Sequence, residues 1–153
     1  MQRGPNGTPY TELDVAVAIR KMVPCIEVVG TRFSPAASAT LPPIALLSDF
    51  GGAHAVIKGN RHFKNWADVA LDQTAVTMRV NGEVRASGRG ADVLGHPVRA
   101  LTWLVNYLSA RNIALHKDAF VITGTCTGLT PVKAGDKVTA EFDGMGEVEV
   151  QLA

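Results

Sequence analysis

Alternating apolar and polar residues mark the predicted β-strands in the second half of the chain. Residues 71–80 and 83–87 are predicted as two strands on either side of Asn81-Gly82, the dipeptide most typical of a type I′ hairpin turn, and the alternation is clear from Val76 to Val80. The alternation places one face of each strand on a core and the other in solvent. A second hairpin of the same kind is predicted from residues 137–142 and 147–152.

Helical spacing of apolar residues replaces the alternation in two stretches. Residues 11–23 begin with Thr11 as a candidate N-cap and end at Pro24. A second helix begins at His96-Pro97, because proline is tolerated at the first helical position. Its predicted buried stripe consists of Val98, Leu101, Leu104, Val105 and Leu108, and Trp103 and Tyr107 extend that face. Mostly antiparallel strands with two helices predict a β-rich α+β fold.

A carboxylate interrupts one short apolar strand. Residues 25–29 read Cys-Ile-Glu-Val-Val, with Glu27 at the centre. A buried carboxylate is costly unless it is paired, hydrogen-bonded or bound to a metal. Two interpretations stay open: a functional carboxylate, or a glutamate on the solvent face of a half-exposed strand, bridged to Arg32.

The chain is organised around a second stretch, residues 121–136, with the sequence VITGTCTGLTPVKAGD. Residues 120–123 predict a short apolar strand that leads into a turn from Gly124 to Gly128. The hydroxyls of this stretch and its free backbone N–H groups would form a neutral cradle suited to a carboxylate or a phosphate. The alternative is an ordinary polar turn between two strands, since threonine and glycine are common in turns.

Other polar residues give weaker signals. Glu147 and Glu149 share one strand face and are best read as a solvated surface. His54 and His62 are candidate metal ligands, although an isolated histidine is more often a surface or hydrogen-bonded residue. The sequence contains no HExxH, P-loop or GxGxxG motif.

Composition narrows the class of partner. Fifteen basic and fourteen acidic residues give a net charge of +1 over 153 residues, which gives no reason to expect nucleic acid or a membrane as partner. The two cysteines form neither a disulfide framework nor a zinc pattern, and the polar N-terminus lacks a secretory signal. We therefore expect a cytoplasmic protein, with a flexible arm at residues 1–10 and one domain at residues 11–153.

The order of these segments resembles the 2-keto-4-pentenoate hydratase family, which includes 4-oxalocrotonate decarboxylases and belongs to the fumarylacetoacetate hydrolase superfamily. Residues 95–152 are similar to the family's C-terminal part. Upstream, a helix followed by VPCIEVVGTRF, the block from Leu47 to Gly59 and the hairpin MRVNGEVRASG follow in the family's order. The resemblance implies a mixed-sheet fold of the fumarylacetoacetate hydrolase C-terminal-domain type, with two main helices and an N-terminal segment missing.

The resemblance also implies site residues and a cofactor. Family members chelate one Mg²⁺ or Mn²⁺ with three carboxylates; one corresponds to Glu27, whereas the other two come from an upstream Glu-x-Glu strand without a counterpart in this sequence. Asp49 would orient or protonate the substrate, although Phe50-Gly51-Gly52 after it departs from the family pattern. Substrate carboxylate would be held by Gly124, Thr125 and Thr127.

Three functions follow as alternatives. The resemblance implies a hydratase or decarboxylase acting on small 2-oxo or 2-hydroxy-dienoate acids, as in aromatic catabolism, with missing residues supplied elsewhere. The chain would otherwise be a non-catalytic partner subunit of an active paralogue, or a small-carboxylate binding module that needs no metal. Exposed apolar edges of a core that lacks its N-terminal part predict self-association into a homo-oligomer or with a paralogous subunit.

Overall fold

Two antiparallel β-sheets form the frame of the computed structural model, which describes residues 8–34 and 40–153. The helices are α1 (Glu12–Ala16), α2 (Pro43–Ser48) and α3 (Pro97–Ser109). The strands are β1 (Cys25–Val29), β2 (Ala53–Lys58), β3 (Ala75–Val80), β4 (Glu83–Arg89), β5 (Lys137–Phe142) and β6 (Gly146–Gln151). Short 3₁₀ turns occupy Phe50–Gly52, Trp66–Asp68 and Gly90–Asp92. The β-rich α+β class is confirmed.

The larger sheet contains the two hairpins that alternation predicts, with strand order β4-β3-β5-β6. Asn81 and Gly82 have φ angles of 53° and 85°, as a type I′ turn requires. The inward-facing side chains of the sheet form one buried cluster with Ile26 of β1; its members are Val80, Val138, Ala140 and Val148. The second hairpin is also confirmed, with Glu147 and Glu149 exposed on its outer face.

A polar junction joins the two hairpins at the start of β5. The Asn81 amide donates to the Asp136 carboxylate at 2.9 Å, and the backbone N–H of Lys137 donates to the Asn81 side-chain oxygen at 2.9 Å. Asp136 also accepts from the backbone N–H of Lys133 at 2.9 Å. The hydrogen bond from Asn81 and that from Lys133 lower the pKa of Asp136.

The smaller sheet pairs β1 with β2 and positions Glu27. In this register Glu27 lies opposite Val56, and Cys25 lies opposite Lys58. Ile26, between Cys25 and Glu27, points into the core cluster. Glu27, Cys25 and Lys58 therefore lie on the other face of the sheet.

Helix α3 begins where the sequence predicts. The Nδ1 atom of His96 accepts a hydrogen bond from the Val98 N–H at 3.1 Å, and Pro97 occupies the first turn. The prediction that Trp103 and Tyr107 are core residues was wrong. Their side chains are 60% and 42% exposed and stack on each other with ring centroids 5.2 Å apart. They lie outside the buried stripe of the helix, which includes Val98, Thr102 and Val105.

The first predicted helix is much shorter than residues 11–23. Thr11 caps it as predicted, and Thr11 and Asp14 form a reciprocal capping box. The chain leaves the helix after Ala16 because Ile19 and Met22 pack with Phe63 and Trp66. Met22 also forms an antiparallel bridge with Phe63, which a continuing helix would prevent.

The structure tests one further prediction fully and another in part. The strand predicted at residues 120–123 is not formed: the segment has no regular secondary structure. A flexible arm was predicted at residues 1–10, and residues 1–7 of it lie outside the described residues. Tyr10, at the end of the predicted arm, exchanges two hydrogen bonds with Asn106. Among the described residues, none of the helices has the length and hydropathy needed to cross a bilayer.

Candidate active site

A cavity of about 1310 Å³ is lined by β1, the inner face of the larger sheet, helix α3 and residues 115–132. Four of the predicted site residues line it: Glu27, Gly124, Thr125 and Thr127. Most of the remaining lining is apolar and includes Val76, Val105 and Val138. An apolar cavity with a few convergent polar groups is the usual form of a small-molecule site.

Glu27 is the acidic residue that β1 contributes to this cavity. Its side chain is exposed and stands on the face that also carries Cys25 and Lys58. The bridge to Arg32 that the sequence suggested is not formed, because Arg32 pairs with Asp49. Within residues 8–34 and 40–153, no group of three or more His, Cys, Asp or Glu side chains could hold a metal ion. The described residues therefore form no complete metal site, and the role of Glu27 as a metal ligand stays a prediction.

The turn at residues 124–128 satisfies part of its own hydrogen-bonding capacity. The Thr125 hydroxyl donates to the Gly128 carbonyl at 3.0 Å and accepts from the Thr127 N–H at 3.3 Å. Gly124 has a φ of 132°, and a Cβ there would come within 3.2 Å of Val93, so only glycine fits. The Thr127 hydroxyl has no hydrogen-bond partner among the described residues, and it is the donor that the turn leaves for a ligand.

The backbone on either side of this turn is largely unpaired. Between Phe120 and Val132, no backbone–backbone hydrogen bond forms within the described part of the chain. The Thr130 hydroxyl in the same stretch is buried without a partner. Buried backbone groups normally find partners in secondary structure, side chains or water. This wall of the cavity therefore has free donors and acceptors to offer to a ligand or to another chain segment.

Asp49 does not line the cavity. Its carboxylate is buried, with the residue 4% exposed, and it accepts from the Arg32 guanidinium at 2.7 Å and from the Arg32 backbone N–H at 3.0 Å. These hydrogen bonds from Arg32 lower the pKa of Asp49 and hold it ionised. Arg32 also donates to the Ala53 carbonyl at 2.9 Å. The pair joins the loop after β1 to the start of β2, and the acid–base role of Asp49 stays a prediction.

Both cysteines line the cavity. Burial raises the pKa of the Cys25 thiol, and the nearby Glu27 carboxylate raises it further. Burial and the Asp92 carboxylate raise the pKa of the Cys126 thiol. Both side chains therefore remain neutral thiols near pH 7.

Sequence reasoning missed Lys58 as a cavity residue. Its ammonium nitrogen lies 4.2 Å from the centroid of the Phe120 ring, and both residues line the cavity. The alternation along β2 places Lys58 on one face of that strand. It does not show which residues of β1 lie beside Lys58, because the two strands are far apart in the sequence and their register is not evident from it. The histidine candidates differ: His62 accepts from the Lys21 ammonium at 2.8 Å, whereas His54 is exposed and outside the cavity.

The fumarylacetoacetate (FAA) hydrolase C-terminal family matches residues 12–153. The 4-oxalocrotonate decarboxylase of Pseudomonas putida is 33% identical over 91% of this chain and 51% of that protein. The 2-hydroxyhexa-2,4-dienoate hydratase of Comamonas testosteroni is 30% identical over 96% of this chain and 54% of that protein.

A solved structure agrees with these matches. The 4-oxalocrotonate decarboxylase from Pseudomonas putida G7, complexed with magnesium and adipate, superposes with a TM-score of 0.85 at 31% identity. The match covers 99% of this chain and 56% of that one. The chain therefore spans about half the length of the relatives it matches.

Proposed function

Because the chain belongs to the fumarylacetoacetate hydrolase C-terminal family, we propose that it forms part of a metal-dependent lyase for small 2-oxo or 2-hydroxy-dienoate acids. The reaction would be hydration of a 2-keto-4-pentenoate-like substrate or the related decarboxylation. The observation that carries the proposal is the shared cavity: Glu27 from β1 and the threonine-rich turn at residues 124–128 line the same space.

The chain's own residues would bind and orient the acid. The Thr127 hydroxyl and the unpaired N–H groups of the turn would donate to the substrate carboxylate. The apolar wall formed by β3, β5 and α3 would exclude water from the carbon chain. Both cavity thiols are neutral, so the anionic substrate meets no negative sulfur at this wall.

A divalent ion does not fit the described residues as a complete site. Glu27 is the one carboxylate assigned to it, and the affinity of such ions rises with the number of charged oxygen ligands. We assign Glu27 the role of a single ligand, with the remaining carboxylates supplied by a second polypeptide, because residues 1–7 and 35–39, which lie outside the described part, contain no aspartate or glutamate. Mg²⁺ and Mn²⁺ are the ions expected.

A second candidate is a small-carboxylate binding module that works without metal. It is favoured by the unpaired donors between Phe120 and Val132, which require no ion to bind an anion. A chain that instead binds neither metal nor acid would be a non-catalytic partner of an active paralogue. The three proposed functions can be distinguished by which ligands the purified chain binds on its own.

Titration calorimetry with Mn²⁺, and then with Mn²⁺ plus oxalate as an enolate mimic, tests the proposal. We expect oxalate-dependent Mn²⁺ binding that is lost in Glu27→Gln and retained in Glu149→Gln, a strand glutamate outside the cavity. Oxalate binding that is equally strong without Mn²⁺ would favour the binding module. Absence of both would overturn the proposal and point to the partner subunit.

A further inference from the structure

Residues 120–132 form an uncovered stretch with the composition of a β-strand. None of these residues is fully buried, and three of their large apolar side chains, Phe120, Leu129 and Val132, are 43%, 80% and 41% exposed. Their backbone forms no hydrogen bond with the backbone of any other described residue. An exposed apolar stretch with an unpaired backbone is a ready template for strand pairing with another chain.

The cavity beside this stretch is larger than a small acid requires. Its volume is about 1310 Å³, whereas pockets for drug-sized ligands measure about 300–1,000 Å³. Most of its lining is apolar, so ordered water is a poor filler of the remaining space. The Thr130 hydroxyl in the same stretch is buried without a partner. The unpaired backbone and the unfilled space together call for a second segment of polypeptide.

The composition of the stretch favours a second copy of this chain as the occupant. Residues 120–132 contain no charged side chain, so two copies that pair antiparallel through them set no like charges against each other. Residues 121–123 are all β-branched, and an antiparallel pair of identical segments is self-complementary, as a closed two-fold dimer requires. By contrast, residues 1–7 and 35–39, outside the described part, are rich in glycine, proline and alanine, which are depleted in strands.

We propose that two copies of this chain dimerise by pairing residues 120–123 as antiparallel strands, with the two-fold axis near Ile122. Pairing adds backbone hydrogen bonds and covers exposed apolar side chains without breaking a backbone hydrogen bond of the single chain. The turn at residues 124–128 lies outside the paired strands and stays available to a ligand. Dimerisation needs neither metal nor acid, so it goes beyond the proposed function and does not depend on it.

Pairing at residues 120–123 places the candidate site beside the interface. The Lys58 ammonium lies 4.2 Å from the centroid of the Phe120 ring, and Glu27 shares the sheet face of Lys58. Each copy therefore carries a Glu27 carboxylate on the strand face next to the paired stretch. Where the proposed function also holds, the second polypeptide that the site requires is another copy of this chain.

Light scattering after size-exclusion chromatography, over a range of chain concentrations, tests the proposal on the full chain. We expect the wild type to reach twice the mass of the single chain. Ile122→Lys and Ile122→Glu each bring two like charges together at the two-fold axis, and each should weaken dimerisation by at least about a hundredfold. An equimolar mixture of these two variants pairs opposite charges and should restore the dimer.

Val84→Lys and Val84→Glu are the matched controls. Val84 is 52% exposed on β4, an edge strand of the larger sheet. Both variants should dimerise as the wild type does. Loss of the dimer in these variants, with retention in the Ile122 variants, would move the interface to β4 and overturn the inference. A wild type that stays monomeric at every concentration, or a dimer that survives in Ile122→Lys, would overturn it as well.

Hydrogen exchange of the wild type decides between these outcomes if the Ile122 variants do not fold. Amides of residues 120–123 should exchange about tenfold more slowly in concentrated than in dilute solution, with the β3 amides unchanged. Equal exchange of the stretch at both concentrations would contradict the pairing. The two proposals fail separately: a chain that dimerises but binds no oxalate with Mn²⁺ supports this inference and overturns the proposed function, and a monomer that binds oxalate with Mn²⁺ does the reverse.

Discussion

The four-stranded sheet and the segment from Phe120 to Val132 are both rich in β-branched residues, yet only the sheet forms regular structure. Each strand of the sheet pairs with at least one neighbour, and Val138, Ala140 and Val148 are almost fully buried. The segment has the sequence of a strand but pairs with no strand in the part of the chain that the structure describes. The difference shows that residues with high strand propensity form a strand only where a partner strand is available. The same absence leaves the segment free to bind.

Hydrogen exchange should show the largest contrast between the two regions. Amides of β3 and β5 lie in paired strands inside the sheet, whereas those of residues 120–132 have no backbone partner among the described residues. We expect protection in the sheet to exceed that of the segment by at least about a thousandfold. Mn²⁺ with oxalate should slow exchange in the segment and leave β3 unchanged. Equal protection of both regions in the free chain would contradict the comparison.

Gly90→Ala should damage the sheet side of the molecule most. A Cβ at this buried position would collide with the carbonyl oxygen of Leu71, a core residue that cannot move without disturbing the packing. We expect a loss of about 3 kcal/mol in the free energy of unfolding, as for a severely overpacked core. Urea denaturation measures it. Gly30→Ala is the control, because a Cβ there meets no atom within 4 Å. Equal stability of the two variants would show that the Gly90 contact relaxes freely.

Gly88→Ala should separate stability from binding. Its Cβ would collide with the carbonyl oxygen of Cys126, which belongs to the unpaired segment. Because that segment can shift, we expect only about 1 kcal/mol of destabilisation. The displaced turn should, however, weaken oxalate binding by about tenfold, which corresponds to the loss of one charge-assisted hydrogen bond. A variant with normal oxalate affinity would mean that the turn does not hold the carboxylate.

The contrast also explains what the sequence could predict. Asn81-Gly82 and the alternation in β5 and β6 specify local pairing, so both hairpins were predicted, although the strand predicted from residue 71 begins only at Ala75. The prediction of a strand at residues 120–123 was wrong because propensity does not reveal whether a partner strand is present. Trp103 and Tyr107 were misplaced because apolar character alone does not show which helix face is buried.

The candidate site was also predicted only in part, because a sequence pattern reports local features and not contacts between distant segments. Glu27 and the threonine-rich turn have unusual local sequences, and the cavity brings them together. The Arg32–Asp49 pair and the position of Lys58 depend on the register between β1 and β2, which no local pattern encodes. The sequence therefore indicated which residues are candidates for the site, but it did not show which residues are neighbours across paired strands.

The contribution of Asp136 to the stability of the fold should depend on pH. Its folded-state pKa lies below the unfolded value of about 3.9, so the ionised carboxylate stabilises the fold above that pH. This contribution is lost as pH falls through the lowered folded-state pKa. Asp136→Asn should therefore have a lower urea midpoint than wild type at pH 7, with a smaller difference at pH 3.

Asp143→Asn, at the tip of the second hairpin, is the control for this pH effect. Its side chain takes part in no hydrogen bond or ion pair among the described residues. It should match wild type at pH 7. A difference for Asp136→Asn that is the same at both pH values would show that the carboxylate charge does not stabilise the junction.

The smallest effects should come from the solvent face of the sheet, where Lys137 pairs with Glu149 at 2.8 Å and both side chains are about half exposed. We expect Glu149→Gln to cost less than about 0.5 kcal/mol, as for exposed ion pairs. Glu147 instead lies directly opposite Glu141, so Glu147→Gln relieves a like-charge pair and should be neutral or slightly stabilising. Urea denaturation of both variants at low salt measures the signs. A loss above about 1 kcal/mol in either variant would mean that this face contributes more than solvated charges do, and the contrast between a packed inner face and a weakly coupled outer face would not hold.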